Sequence, residues 1–215
     1  MVKLDKGDLV RIAFTGRVAS TGAVFETTDE AAAKAAGIWS SSARFGPRLV
    51  IYGAGTMVAG LEEGLSTMAA GQKTHFKFPA GKAFGQKFKE LVRVMSEKEF
   101  AKHGVQPEPN LMVTIDGIPA LVKSISSGRV LLDFNHPLAG EELEYDLELL
   151  EIFSDPKEKA QALASVFGTT AKTSDEKGAL TVEVSAGLAP ENARALHSVL
   201  KASLGEKAKI TVPGA

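Results

Sequence analysis

The run Val50-Ile51-Tyr52-Gly53-Ala54-Gly55-Thr56-Met57-Val58-Ala59-Gly60-Leu61-Glu62-Glu63-Gly64-Leu65 decides how the rest of the chain is read. It opens as an apolar β-type stretch and breaks at Gly53 and Gly55, residues that accept backbone angles others avoid. It then predicts a short helix. Met57, Val58, Leu61, Leu65 and Met68 recur at three- and four-residue spacing on one face, with Glu62 and Glu63 turned away. Gly60 and Gly64 each weaken such a helix by roughly 1 kcal/mol relative to alanine, so something must approach its backbone closely. Two readings stay open: a small helix packed tightly on a sheet, or a helix whose N-terminus floors a ligand pocket.

Outward from this run, strands come first. Val10, Ile12 and Phe14 alternate with Arg11, Ala13 and Thr15. Thr21-Gly22 is a turn, and residues 23–28 return as a second strand. Residues 29–37 predict a short helix with Asp29 as N-cap and Gly37 as its stop. The loop 38–47 carries Trp39, the only tryptophan. Its role is either to anchor the loop on the body or to lie near a pocket rim. On the other side, Thr74, Phe76 and Phe78 alternate with Lys73, His75 and Lys77, a half-buried strand. Residues 79–85 form a turn that contains Ala83-Phe84-Gly85.

Composition shifts at Gln86. Residues 91–95 predict a strand and Ser96 caps a short helix. Three β-type runs follow, with Asp116-Gly117 and Ser127-Gly128 as hairpin turns. Together they make a β-rich insert. After the loop 135–140, Leu143, Tyr145, Leu147 and Leu149 alternate with charged residues, until the phase slips at Leu150 and predicts a bulge or strand end. The last sixty residues read as helix, strand, helix, strand. Residues 169–178 between the first pair are polar. A unit of that size is marginal alone, so it docks on the body or pairs with a copy of itself.

The 215 residues are 44% hydrophobic and 24% charged, with net charge −1 and no cysteine. These values support a packed core, exclude disulfide and thiolate chemistry, and offer no basic surface for nucleic acid. The opening residues alternate charge, and no segment reaches the about 20 apolar residues of a membrane span. A cytoplasmic protein, bound to neither nucleic acid nor membrane, is the expectation. His75, His103, His136 and His197 lack metal-ligand spacing, so neither metal nor cofactor is expected. His75 points to solvent on its strand, while His136 is either catalytic or fixes its loop by a hydrogen bond. What remains is an apolar set on separate elements: Phe14, Phe25, Met57, Val58, Leu61, Phe84 and Tyr145. It is either core or pocket.

These residues resemble the FKBP-type peptidyl-prolyl cis-trans isomerases. The match runs through Phe25-Glu26, Gly53, the segment 57–62, Leu65-x-x-Met68-x-x-Gly71-x-Lys73, Ala83-Phe84-Gly85 and the segment 143–149. The break at Gln86 and the return at 135–140 resemble the SlyD-like branch, in which an insert-in-flap chaperone domain interrupts the isomerase. The helix and loop at 29–47 and the C-terminal segment resemble the long archaeal members.

The resemblance implies an α+β fold: an antiparallel half-barrel sheet around a short helix, an inserted small β-rich domain and a C-terminal αβαβ domain. The domains would be 1–86 with 135–153, 87–134, and 154–215. It implies catalysis of X–Pro isomerisation by Phe25, Glu26, Val58, Leu61, Phe84 and Tyr145, with substrate held by Phe14, Met57, Val58, Leu61, Phe84 and Tyr145. Unfolded or proline-containing polypeptides are the implied partners, with a homodimer through the C-terminal domain as a further one. A holdase with little turnover is the rival reading, and a dimeric interaction module the third.

The chain also departs from the family. Leu61 stands where tryptophan is usual and Phe84 where tyrosine is usual. Phe14 and Glu26 replace the usual tyrosine–aspartate pair. Tyr145 replaces phenylalanine, and its hydroxyl is expected to find Glu26. These changes bear on macrolide affinity more than on turnover. The histidine-rich tail of many SlyD proteins is absent, so nickel binding is not implied.

Overall fold

Strand β1 (Leu9–Val18) alternates buried and half-buried residues along its length, as its sequence predicts. The computed structural model describes residues 4–102, 104, 106–176, 179–205 and 207–215; His103 and the opening three residues lie outside them. The fold is mixed α+β with largely antiparallel sheets. The residues group into two compact units, Met1–Lys77 with Glu144–Ala215, and Phe78–Leu143.

In the first unit β1 pairs antiparallel with β2 (Val24–Thr27) along Thr15–Arg17 and with β3 (Arg48–Ile51) along Leu9–Ile12. Between them lies helix α1 (Glu30–Ala35), capped by Asp29, whose carboxylate accepts from the Ala32 N–H at 2.9 Å. Helix α2 (Ala59–Leu65) follows β3. It starts later than the sequence pattern predicts. Val58 is its N-cap with φ −62° and ψ 144°, so Met57 and Val58 lead into the helix rather than lying on it. Gly64 has a packing reason: a Cβ there would sit 3.0–3.1 Å from the ring of Phe76 on strand β4 (Gln72–Phe78).

The sheet is completed by β9 (Leu143–Phe153) in the order β2-β1-β9-β4. β9 does not end at Leu150. Leu150, Ile152 and Phe153 instead line a groove with Gln161 and Ala162 of helix α4 (Pro156–Val166). Apolar residues are wanted on both faces there, and the sequence period breaks for that reason.

The C-terminal segment continues with β10 (Ala171–Glu176), β11 (Ala179–Val184), α5 (Pro190–Leu204) and β12 (Lys209–Thr211). Its order is αββαβ, which corrects the αβαβ expectation. β10 escapes sequence detection because Lys172, Thr173, Ser174 and Asp175 are polar. Its backbone nonetheless pairs antiparallel with β11, which pairs parallel with β12. The helices and strands here bury Ala160, Leu163, Val182, Leu196 and Leu200 together with Leu9 of β1.

The second unit holds a four-stranded antiparallel sheet in the order β5 (Val92–Ser96), β8 (Arg129–Asp133), β7 (Ile118–Ser126), β6 (Met112–Ile115). Both hairpins have two-residue loops with positive φ at each position: 51° and 81° at Asp116-Gly117, 50° and 73° at Ser127-Gly128. That geometry matches the strand twist. Helix α3 (Glu97–Ala101) is capped by Ser96, whose hydroxyl accepts from the Glu99 N–H at 3.2 Å. It delivers Phe100, fully buried, into a core of Val113, Ile115, Val122, Val130 and Leu132.

Candidate functional site

Gly16 is the least conspicuous residue of the site and the one its geometry depends on. A glycine inside a strand marks a bulge or a close approach. Here a Cβ would lie 2.8 Å from Cε1 of Tyr145 and 2.9 Å from Cζ of Phe25. Two aromatic rings are therefore seated against the β1 backbone. Tyr145 is fully buried. Its ring meets Phe25 edge-on with centroids 5.7 Å apart and Phe14 at a tilt, 6.0 Å away. Such pairs contribute about 0.5–1.5 kcal/mol beyond the area they bury.

The Tyr145 hydroxyl donates to Glu26 Oε1, the bond expected from the sequence. Burial, and then the Glu26 carboxylate, push the phenol far above its ordinary range, so it stays a donor. Phe14 is held from both sides. Its N–H donates to Thr28 Oγ1 at 2.9 Å, its carbonyl accepts from the Thr28 N–H at 2.9 Å, and the Arg48 guanidinium lies 5.3 Å from its ring centroid. The structure thus brings Phe14, Phe25, Glu26 and Tyr145 together from three strands.

Leu61, 3% exposed, sits in the first turn of α2 in the same unit. The Val58 carbonyl accepts from Leu61 and Glu62 N–H groups at 2.9 and 3.3 Å. No described residue accepts from the Val58 N–H. Met57 beside it is half-buried. Phe84 belongs to the other unit, where it stacks on His136 with centroids 4.2 Å apart and 9° between planes. His136 Nδ1 accepts from the Leu138 N–H at 3.2 Å, the loop-fixing bond foreseen as one of its two roles.

The outer face of the first sheet is different in kind. His75 and Arg17 both bond Asp146, and those bonds hold the Asp146 carboxyl below the usual range. Lys73 pairs with Glu148 at 3.1 Å. A groove of about 460 Å³ runs among them from Asp29 to His75. Its polar pairs are satisfied among themselves, and the aromatic cluster is the better candidate site.

Over 149 residues the chain is 29% identical to the "Short-type peptidyl-prolyl cis-trans isomerase" of Methanocaldococcus jannaschii, covering 69% of this chain and 94% of the relative. It is 35% identical over 111 residues to the "FKBP-type 16 kDa peptidyl-prolyl cis-trans isomerase" of Escherichia coli strain K12, covering 49% of this chain and 74% of the relative. The chain belongs to the FKBP-type peptidyl-prolyl cis-trans isomerases. A third relative in this family, "FKBP-type peptidyl-prolyl cis-trans isomerase SlyD" of the same bacterium, is 28% identical over 47% of this chain and 54% of the relative. The family model described as "FKBP26, IF domain" matches residues 93–138.

Gly16, Thr28 and Arg48 belong to the candidate site of this FKBP-type chain without being among the residues expected from the sequence. Gly16 had a signal, a glycine in the middle of an alternating strand. Thr28 and Arg48 had none, because nothing local shows which backbone a threonine or which ring an arginine will meet. Among the described residues, no helix is long and apolar enough to cross a membrane.

Proposed function

We propose that Phe14, Phe25 and Tyr145 wall an apolar cleft for the proline ring, that Leu61 and Met57 line its floor, and that the Val58 N–H donates to the carbonyl beside the proline. The observation that carries this reading is the Tyr145 ring, fixed by Gly16 behind it and Glu26 at its tip, with Phe14 and Phe25 against it.

Rotation about a peptide bond faces a barrier of about 18–20 kcal/mol, because twisting breaks amide resonance. The twisted amide is less polar than the planar one. An apolar cleft with one donor therefore favours the twisted form, which is differential binding of the transition state. No nucleophile or proton transfer is needed. The resemblance assigns Phe84 a substrate-contacting role as well.

We also read residues 1–86 with 135–153 as the isomerase domain, 87–134 as a client-binding insert and 154–215 as a C-terminal domain. The insert's sheet supports client binding. Val94 pairs with Leu131 and Met112 with Leu121 on the face opposite its core. Val94 is 60% and Met112 50% exposed. An uncovered apolar face of this kind marks an interaction surface, and tethering clients there raises their concentration at the cleft.

Turnover of a short X–Pro peptide tests the cleft. Tyr145→Ala is expected to lower kcat/KM at least about tenfold, and Tyr145→Phe far less. Unchanged turnover in Tyr145→Ala would place the chemistry elsewhere. Val94→Lys with Met112→Lys is expected to leave that turnover intact and abolish suppression of aggregation.

A further inference from the structure

Ile38 and Trp39 stand exposed on the loop after α1, at 38% and 45%. Scattered surface leucines need no account, but an exposed tryptophan does, since indoles dominate the few side chains that carry binding energy. The described polar partners of Trp39 lie on α1. Its Nε1–H donates to Glu30 Oε1 at 3.2 Å, and Lys34 Nζ lies 5.7 Å from the ring centroid while pairing with Glu30 at 2.7 Å. Both partners belong to α1, within the same excursion of chain. The indole is thus oriented in advance and still open to a partner.

Both ends of the excursion meet the proposed cleft. It leaves at Thr28, whose backbone and hydroxyl bond Phe14. It returns at Gly46, whose N–H donates to the Thr28 carbonyl at 2.8 Å, and at Arg48, which covers the Phe14 ring. Glu30, which holds the indole, is two residues beyond Thr28. At about 3.3–3.6 Å per extended residue, Trp39 lies within roughly 20 Å of Phe14, the span of about six residues of substrate.

We propose that Ile38 and Trp39 form an accessory shelf for extended polypeptide substrates, receiving an apolar side chain up to about six residues from the isomerised proline. The proposal rests on the reading of Phe14, Phe25 and Tyr145 as the proline cleft. The shelf acts on KM for long substrates and leaves the chemical step alone.

Two tryptophan-free synthetic peptides test it: one of about four residues with a single X–Pro bond, and one of about twelve with a phenylalanine about six residues from its proline. Trp39 is the only tryptophan in the chain, so its fluorescence reports the shelf directly. The wild type is expected to show a saturable emission shift with the long peptide and none with the short one. Trp39→Ala is expected to raise KM for the long peptide about tenfold, with kcat and all short-peptide kinetics unchanged; Trp39→Phe restores most of the loss. The proposal is overturned by a silent indole, by equal losses for both peptides, or by a change of sedimentation mass in Trp39→Ala, which would make the surface a contact between copies. Tyr145→Ala distinguishes the two levels. Loss of turnover on both peptides with a silent indole defeats the shelf alone, whereas retained turnover on both defeats the cleft reading beneath it.

Discussion

The core of the insert draws its described members, Met95 to Phe134, from its own stretch of chain, whereas the core around α4 and α5 reaches back to Leu9, Leu49, Ile51 and Phe153. Both segments add about fifty or sixty residues, a size at which a lone hydrophobic core is marginal. The insert closes its core with α3 and four strands. The C-terminal segment borrows a face of the isomerase's own strands. Leu9 shows how: it neighbours Val10 on β1, so the two side chains point to opposite faces, and both are buried. The joint also holds an ion pair. Lys159 Nζ lies 3.1 Å from Asp8 Oδ1 and donates to the Gly7 carbonyl at 2.8 Å, with the two side chains only 10% and 7% exposed. The described core of one segment is its own, and the other shares its core with β1, β3 and β9.

The sharpest way to break this contrast is to cut each segment away. Removing 154–215 uncovers Leu9, Leu49, Ile51 and Phe153, each worth about 1.5–3 kcal/mol when fully buried, against a total stability of about 5–15 kcal/mol. The truncated chain is expected to aggregate or to bind a hydrophobic dye. Excising 87–134 is expected to leave a cooperative unfolding transition and short-peptide turnover. A folded truncation whose mass per particle halves in light scattering would instead make the C-terminal segment a dimerisation module.

A smaller effect comes from the joint alone. Lys159→Ala leaves Asp8 buried and unpaired and is expected to cost about 3–5 kcal/mol in denaturant unfolding. Adding Asp8→Asn to Lys159→Met is expected to recover much of it. Equal losses from the single and double variants would mean that packing, not charge, fastens the segment.

The smallest effect concerns the insert. Burial opposes ionisation of Asp133, but hydrogen bonds from Asn135, at 2.7 and 3.0 Å, and the Lys87 ammonium outweigh it and hold the carboxyl below its usual value. A lowered folded pKa stabilises above the unfolded value of about 3.9, and that contribution is lost as pH falls through the folded value. Protection of the β8 amides, taken relative to the intrinsic exchange rate at each pH, is expected to fall in acid by an amount worth about 1 kcal/mol, and Asp133→Asn is expected to remove that change in protection. Protection in β8 that stays flat from neutrality to pH about 3 would refute the role of this carboxylate.

Local physics made much of the fold legible. Strict alternation revealed β1, β4 and β9, Asp29 announced α1, and the two X-Gly turns placed the insert's hairpins. The aromatic members of the cluster were legible too, together with the Tyr145–Glu26 bond, because each departure from the family pattern left a hydroxyl or a carboxylate in need of a partner. β10 was not legible: a polar edge strand is held by its neighbour's backbone, and its side chains record nothing of that pairing. The start of α2 was misplaced by two residues, since the apolar spacing of Met57 and Val58 continues a helical pattern that the backbone has not yet adopted.

By itself the sequence determined periods, caps and turns, because these depend on residues within a few positions of one another. It also determined that Gly60 and Gly64 must have reasons. Tertiary structure alone decided that Phe76 stands against Gly64, and that Tyr145 and Phe25 stand against Gly16. It also decided that a second face of β1 and β3 would be covered, and that Lys159 would be buried against Asp8. Those outcomes depend on pairs separated by up to about 150 positions. The chain carries no local mark of such partners, since burial and charge pairing are properties of the space they come to share.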